Sequence, residues 1–522
     1  MMNPNSPGAD AVVRGTLWVR PPGRLSARLH SSPLLAALTL LALSTACNVG
    51  PKYHAPVVPA PPAFTEPPPE SFTESKDWKA AAPTDAWTKG RWWEAFQDPQ
   101  LNALEEQVEV TNQTLKSAEA RFRQARALVL ERRSDRMPTI TAAASISRQR
   151  LSANRPVPVP ASETGSGDFN LGFEASWEPD LWGRIRNQVA TAVQNAQATA
   201  ADLENARLSL HAELALDYFD LRTLDQEQWI LEHAVAAYQR AFDLTNNRYQ
   251  GGAANRAEVA EAQTQLEATS AQALDVTDVR AQYQHAIAVL TGRPPEGFNI
   301  AFSIVAGAAP MVLPVIPPGL PSALLERRPD IAAAERRVAA ANSEIGLARA
   351  AFYPQVLLAA AVGLEGGSIT NWLNWPSRLW ALGPSAAQTL FDAGRRRAVL
   401  QESTANYDAL VADYRQSVLT AFQQVEDNLA SLRILESEAK RQHRAVEAAR
   451  ESERLSLNRY EGGLVTYLEV VTAQSIRLQN ERTAVNIERR RLEAGVMLIR
   501  ALGGGWNSTS LPQPAALASK AN

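Results

Sequence analysis

The 522-residue chain writes one phrase twice, NRYQGG at Asn247–Gly252 and NRYEGG at Asn458–Gly463, 211 positions apart. The same offset places Leu171-Gly172 on Leu382-Gly383, Gly183-Arg184 on Gly394-Arg395, Leu221-Arg222 on Leu432-Arg433, Glu258-Val259 on Glu469-Val470 and Gly292 on Gly503. A period of about two hundred residues is far longer than any solenoid unit, so a whole architecture has been duplicated. The fold must consist of two similar halves.

Each half runs through a helical stretch ending at a proline, two short alternating segments, a very long helical run, the repeated phrase and a returning helix. PTITAAASIS alternates Ile140, Ala142, Ala144 and Ile146 against Thr139, Thr141, Ala143, Ser145 and Ser147. FNLGFEASWE puts Phe169, Leu171, Phe173, Ala175 and Trp177 on one face. YPQVLLAAAVGLEG and LWALGPSAAQTLF are the second-half counterparts. Period-two segments of about ten residues suit tilted strands crossing a bilayer, and equally a soluble sheet with one wet face. Trp372, Trp375 and Trp380 resemble an interfacial aromatic girdle. Four strands cannot close a membrane barrel, which needs about eight or more. An open edge in lipid leaves backbone groups unpaired at several kcal/mol each. Strands in a membrane therefore require a barrel shared between at least two copies of the chain.

Arg184 to Tyr249 and Arg395 to Tyr460 contain no proline, and at about 1.5 Å per residue each spans roughly 100 Å as helix. Leu203, Leu210 and Leu224 share one heptad register and Leu214 and Leu221 its partner position, with Arg207 and Asp217 interrupting the seam. The returning run, Asn255–Leu290, covers about half that length. Pro99–Met137 is expected to supply the other half, stacked end to end, giving a cylinder of helices continuous with a barrel. Gly251-Gly252 and Gly462-Gly463 are expected to end the long helices in tight αα turns. Such turns do not require the repeated Asn247, Arg248, Tyr249 and Asn458, Arg459, Tyr460 before them. These residues are read as two matching docking surfaces at the far end of the cylinder.

The amino terminus carries Arg14, Arg20, Arg24 and Arg28, the apolar run Pro33–Leu43 and small residues up to Ala46. Residues 1–46 read as a secretory signal peptide whose apolar run is too short to span a membrane. Cleavage before Cys47 would expose an N-terminal cysteine for lipid attachment, resembling a bacterial lipoprotein. Ser44 stands where that motif usually has leucine, with Leu43 one step further away. Asn48, rather than Asp, resembles sorting to the outer membrane. The proline-dense VGPKYHAPVVPAPPAFTEPPPE that follows is expected to be an extended tether.

Cys47 is the only cysteine, which excludes a disulfide framework and a cysteine metal cluster. A net charge of −3 gives no polyanion-binding signature, so no nucleic-acid partner is expected. Six histidines lack metal-ligand spacing, and His211 and Glu213 fall on different helix faces. Gly503-Gly504-Gly505 lacks the Lys and Ser/Thr of a phosphate loop. No catalytic site, metal or cofactor is expected. A periplasmic coiled-coil scaffold would account for the helices but not the strands.

CNVGPKY at Cys47, SWEPDLWGRIR at Ser176, LTGRPP at Leu290, LLERRPDI at Leu324, ALGPSAAQTLFDAGRRR at Ala381 and both NRY-GG phrases carry a resemblance. From Cys47 to about Gly505 the chain resembles the TolC-like outer-membrane efflux proteins, in particular the NodT-type lipoprotein branch serving tripartite export pumps. The resemblance implies a mainly α fold with a membrane β-barrel. Three copies would each give four strands to one barrel and their helices to a periplasmic α-helical tunnel. It implies a passive conduit for small molecules, drugs or toxic compounds, or alternatively the outer-membrane duct of a type I polypeptide secretion system. Its partners would be a periplasmic adaptor (membrane fusion protein), docked at the two tip turns, and an inner-membrane RND-type pump. Some relatives close the pore with an acidic residue just after the second tip turn. Leu464, Val465 and Thr466 stand there in this chain, so an apolar constriction is the alternative to a carboxylate gate. The expected organisation is signal peptide 1–46, lipidated cysteine, tether and equatorial segment 47–97, first repeat 98–292, equatorial link 293–320, second repeat 321–503 and tail 504–522.

Overall fold

The computed structural model describes residues 48–73, 90–152, 154, 156, 165–303, 313–317, 319 and 321–519. The expected signal peptide and Cys47 lie outside these residues. The first half contains α1 (Pro99–Thr111), α2 (Gln113–Ser134), β1 (Thr139–Arg150), β2 (Gly165–Trp177), α3 (Arg184–Gln250) and α4 (Arg256–Leu290). The second contains α5 (Pro329–Ala350), β3 (Gln355–Gly366), β4 (Arg378–Ala387), α6 (Arg395–Glu461) and α7 (Tyr467–Ala501).

Helices α3 and α6 are both 67 residues long and α4 and α7 both 35, each pair starting 211 positions apart. Helices α2 and α5, both 22 residues, start at 113 and 329, an offset of 216. Strands β1 and β3 keep that larger offset. The duplication therefore changes register between the first strand of each half and the long helix, where loops absorb the difference. Asp180 starts α3 by accepting from Ile185 N and Arg186 N at 3.0 and 2.8 Å, and Asp392 starts α6 by accepting from Gly394 N and Arg396 N. Each carboxylate satisfies N–H groups that a helix start leaves free and sits favourably at the positive end of the helix dipole.

The end-to-end stacking is present in both halves. Where α4 ends, Asn112 Nδ2 donates to Leu290 O at 2.8 Å and Thr111 Oγ1 donates to Thr291 O at 2.6 Å. Where α7 ends, Arg328 Nη1 donates to Ala501 O at 3.0 Å. Gly292 (φ 66°) and Gly503 (φ 91°) occupy the two joints, and a Cβ there would meet Thr111 O at 2.4 Å and Arg327 O at 2.1 Å. Only glycine combines that dihedral with so close a backbone approach. Thus α2 and α4 in one half, and α5 and α7 in the other, lie in line along the long helices.

The main core sits midway along the helices. Trp92, Trp93, Phe96, Leu101 and Phe72 pack there against Leu214, Tyr218, Phe219 and Leu221 of α3 and Val418, Val425 and Leu429 of α6. The heptad leucines Leu203, Leu210, Leu214 and Leu221 are buried, and Leu224 packs half-buried against a second cluster lower on α3. Residues 298–303 of the link are held by Arg222 and Arg280, which donate to Ala301 O and Ile300 O while sharing the buried Asp225 carboxylate.

Both terminal segments lie along the helices. The proline-dense segment is not a free tether but a strap on the helices. Tyr53 OH donates to Glu335 Oε1, Asn342 Nδ2 donates to Pro51 O, and the Glu426 carboxylate accepts from Thr65 N and Glu66 N at 2.7 and 2.9 Å. Lacking i→i+4 partners, a proline-rich chain must satisfy its backbone groups elsewhere, and side chains of α5 and α6 provide for that. The tail runs back toward the strands. Gln197 Nε2 donates to Pro512 O, Arg133 Nη1 donates to Ala518 O, and Leu517 is buried against Val129 and Ile185.

Candidate functional site

The four strands form one antiparallel sheet in the order β1-β2-β3-β4, leaving β1 and β4 as unpaired edges within the chain. Partners opposite one another in antiparallel strands point to the same face. The register pairs Ala142 with Phe173, Phe173 with Val362 and Val362 with Trp380. It likewise pairs Ala144 with Leu171 and Leu171 with Leu364. The apolar alternation of every strand thus falls on one face, which is exposed: Phe173 is 55%, Val362 58% and Trp380 76% accessible. The opposite face carries Thr141, Ser145, Asn170, Gly172, Glu174, Ala361, Gly363 and Ala381. Pro384, which cannot donate to a ladder, lies in edge strand β4. The fourth strand ends at Ala387, short of the expected Phe391, and Leu390 and Phe391 lie exposed beyond it. Among the described residues no helix is long and apolar enough to cross a membrane.

At the other end of α3 and α6 both repeated phrases close as the same turn. Gly251 N donates to Asn247 O, Gly252 N to Tyr249 O and Ala253 N to Arg248 O. Gly462, Gly463 and Leu464 donate likewise to Asn458, Tyr460 and Arg459. This is a Schellman closure, with Gly252 (φ 74°) and Gly463 (φ 72°) in the left-handed region. Gly251 and Gly462 keep negative φ.

The side chains around the turns are not equivalent, which corrects the expectation of two matching surfaces. Tyr249 is 43% exposed, whereas Tyr460 is 1% exposed, packed against Ala241, Ala262, Tyr467 and Val470. Arg248 reaches across from the first hairpin to the second. Its Nη1 donates to Tyr460 O at 2.9 Å and its guanidinium lies 4.5 Å from the Tyr460 ring centroid. Thr245 Oγ1 lies 3.2 Å from Tyr460 OH. Arg459 instead pairs with Glu469 at 2.6 Å on the surface. Asn247, Tyr249, Asn458 and Arg459 remain open to a partner, while Arg248 and Tyr460 fasten the two hairpins together. Of the three residues after the second turn, Leu464 is 76% exposed and Thr466 exposed, but Val465 packs half-buried against the tyrosine cluster.

One charged cluster escaped the sequence reading. His211 Nδ1 lies 2.6 Å from Glu105 Oε2 and its Nε2 3.5 Å from Glu109, with Trp93 stacked on the imidazole. Burial pushes the Glu105 carboxyl up to about 7 against the pull of His211. Burial also opposes the imidazolium, but its hydrogen bonds to Glu105 and Glu109 leave His211 above its usual value. The partners are 106 positions apart in sequence, so no local spacing announces them. Among the described residues no group of His, Cys, Asp and Glu is arranged to hold a metal ion.

The profile of the outer membrane efflux protein family matches residues 104–293 and again 320–504. The chain is 31% identical to the pyoverdine export outer membrane protein OpmQ of Pseudomonas putida over 92% of its length and 98% of that protein. It is 31% identical to the outer membrane protein OprJ of Pseudomonas aeruginosa, covering 91% of this chain and 96% of that one. The fold superposes on the outer-membrane channel OprN with a TM-score of 0.78 at 31% identity, covering 88% of this chain and all of the other. It superposes on the Campylobacter jejuni CmeC channel with a TM-score of 0.82 over 90% and 97% of the two chains, at 22% identity.

Proposed function

Since the chain belongs to the outer membrane efflux protein family, we propose that three copies of it build the outer-membrane duct of a tripartite efflux pump. The observation that carries this reading is a sheet apolar on one face, small and polar on the other, and unpaired at both edges, joined directly to helices of 67 residues. In lipid such edges must find strands from other copies. Three sheets of four strands exceed the roughly eight needed to close a barrel. The long helices then extend the barrel about 100 Å into the periplasm. Solutes pass down the polar face without being bound. The relatives are named for export of pyoverdine, antibiotics and solvents, which favours small organic cargo.

The tip turns are the docking surface for a periplasmic adaptor, through Asn247, Tyr249, Asn458 and Arg459, and an inner-membrane pump completes the path. Lipid on Cys47 anchors the amino terminus. Asn48 Oδ1 accepts from Asn187 Nδ2 at 3.0 Å beside Gly183, and this contact at the β2–α3 corner brings the start of the strap to the base of the sheet. Acyl chains there would enter the inner leaflet alongside the strands. The test is to isolate the protein from outer membranes in mild detergent, measure its mass and N-terminus, and compare export in cells with and without it. A folded monomer, or unchanged export on its removal, overturns the proposal.

A further inference from the structure

Charge on the sheet is segregated by face, and that segregation assigns a site at the far end of the strands. On the face that carries Ile140, Phe173 and Val362, the register also places Arg148, Arg150 and Arg378. Among the described residues the charged groups on that face of the strands are these arginines alone. Asp168, Glu174 and Glu365 all project from the opposite face. The three arginines are exposed, sit toward the hairpin ends of their strands remote from the helices, and among the described residues form no ion pair. The Arg378 guanidinium lies over Trp375, 4.0 Å from its ring centroid, and Trp375 is itself 78% exposed, as Leu373 and Ile369 of the same connection are exposed.

An exposed aromatic and aliphatic rim next to an apolar membrane face belongs at the headgroup level. Unpaired guanidiniums at that level, each with a planar fork of donors, are built to hold phosphate oxygens. We infer that Arg148, Arg150 and Arg378, with Trp375, form a binding site on the outside of the barrel for the anionic phosphate headgroup of an outer-leaflet lipid. The site rests on the membrane placement of the strands proposed above. In a barrel of several copies, β4 of one chain lies beside β1 of the next, so Arg378 would stand near the neighbour's Arg148 and Arg150 and each site would bridge two copies.

The full chain, in its assembled form, is transferred into nanodiscs of phosphatidylcholine alone or doped with bisphosphorylated lipid A. Lipid retained through gel filtration is then counted by mass spectrometry. Enrichment of lipid A by the native protein is expected, falling roughly fivefold for each arginine changed to glutamine. Arg148→Lys/Arg150→Lys/Arg378→Lys should restore only part of it, since lysine keeps the charge but lacks the planar fork of donors. Equal enrichment by the native protein and the triple glutamine variant overturns the site. So does enrichment abolished by millimolar inorganic phosphate, which would mark a general anion surface and no lipid site. If the triple variant fails to insert, Arg378→Gln alone is measured, and retention equal to native overturns the proposal. Failure of the native protein to fractionate with outer membranes would refute the duct reading itself; fractionation without lipid discrimination refutes only this site.

Discussion

At the residue scale, the two turn glycines differ from those at the helix joints. A Cβ at Gly252 or Gly463 meets nothing within 4 Å, so substitution strains only the positive φ, at about 1–2 kcal/mol. Gly252→Val and Gly463→Val should leave assembly intact and abolish export. The check is outer-membrane level of the assembled protein and export measured in the same cells; parallel loss would mean the glycines serve folding alone. Charge reversal is best placed at Arg459, whose surface pair with Glu469 contributes at most about 1 kcal/mol. Arg459→Glu should weaken adaptor crosslinking without changing the thermal midpoint. Arg248→Glu should lower the midpoint, because Arg248 ties the hairpins together through Tyr460. The His211 cluster gives a pH dependence with a definite sign. Glu105 is raised, so its carboxyl holds more protons in the folded chain than in the unfolded one between the ordinary value of 4.5 and about 7, and its contribution is full below that window and lost as pH rises through about 7. His211 is raised as well and acts in the same sense, its contribution being lost as pH rises above the ordinary imidazole value of 6.5. Glu109 is lowered and acts in the opposite sense, at acid pH. The midpoint should therefore fall between pH 6 and 8, and Glu105→Gln should flatten that fall.

At the scale of elements, the shared register of the strands makes a directional prediction. An arginine on the lipid face at mid-bilayer costs about 2–4 kcal/mol, far more than on the lumen face. Phe173→Arg should reduce the protein in outer-membrane fractions, whereas the neighbouring Gly172→Ser, on the small polar face, should be tolerated. Equal effects would mean the two faces have been assigned the wrong way round. The period-two alternation was legible because burial against lipid repeats every second residue. The end of β4 was not: AAQTLF continues an apolar pattern, yet the ladder stops at Ala387. The strap was misread as a tether because proline reports only what a segment cannot form. Its docking is set by carboxylates such as Glu426, some 360 positions away.

At the scale of the whole molecule, two unpaired strand edges in one sheet leave the isolated chain incomplete in lipid. Dilution in mild detergent should not yield a folded monomer. Light scattering or native mass spectrometry should instead report the three-chain assembly until the sheet itself unfolds.

The duplication, the long helices, the turns and the alternating strands were all settled by local periodicity and by glycine and proline, which act over a few residues. The register change from 211 to 216, the packing of Gly292 and Gly503 against a neighbouring backbone, the burial of Tyr460 beside an exposed Tyr249, and the Glu105–His211 pair were decided only in the tertiary structure. Two copies of one phrase obey the same local rules and therefore make the same turn. Their side chains diverge because each copy faces a different neighbour, and which neighbour it meets is a property of the packed helices.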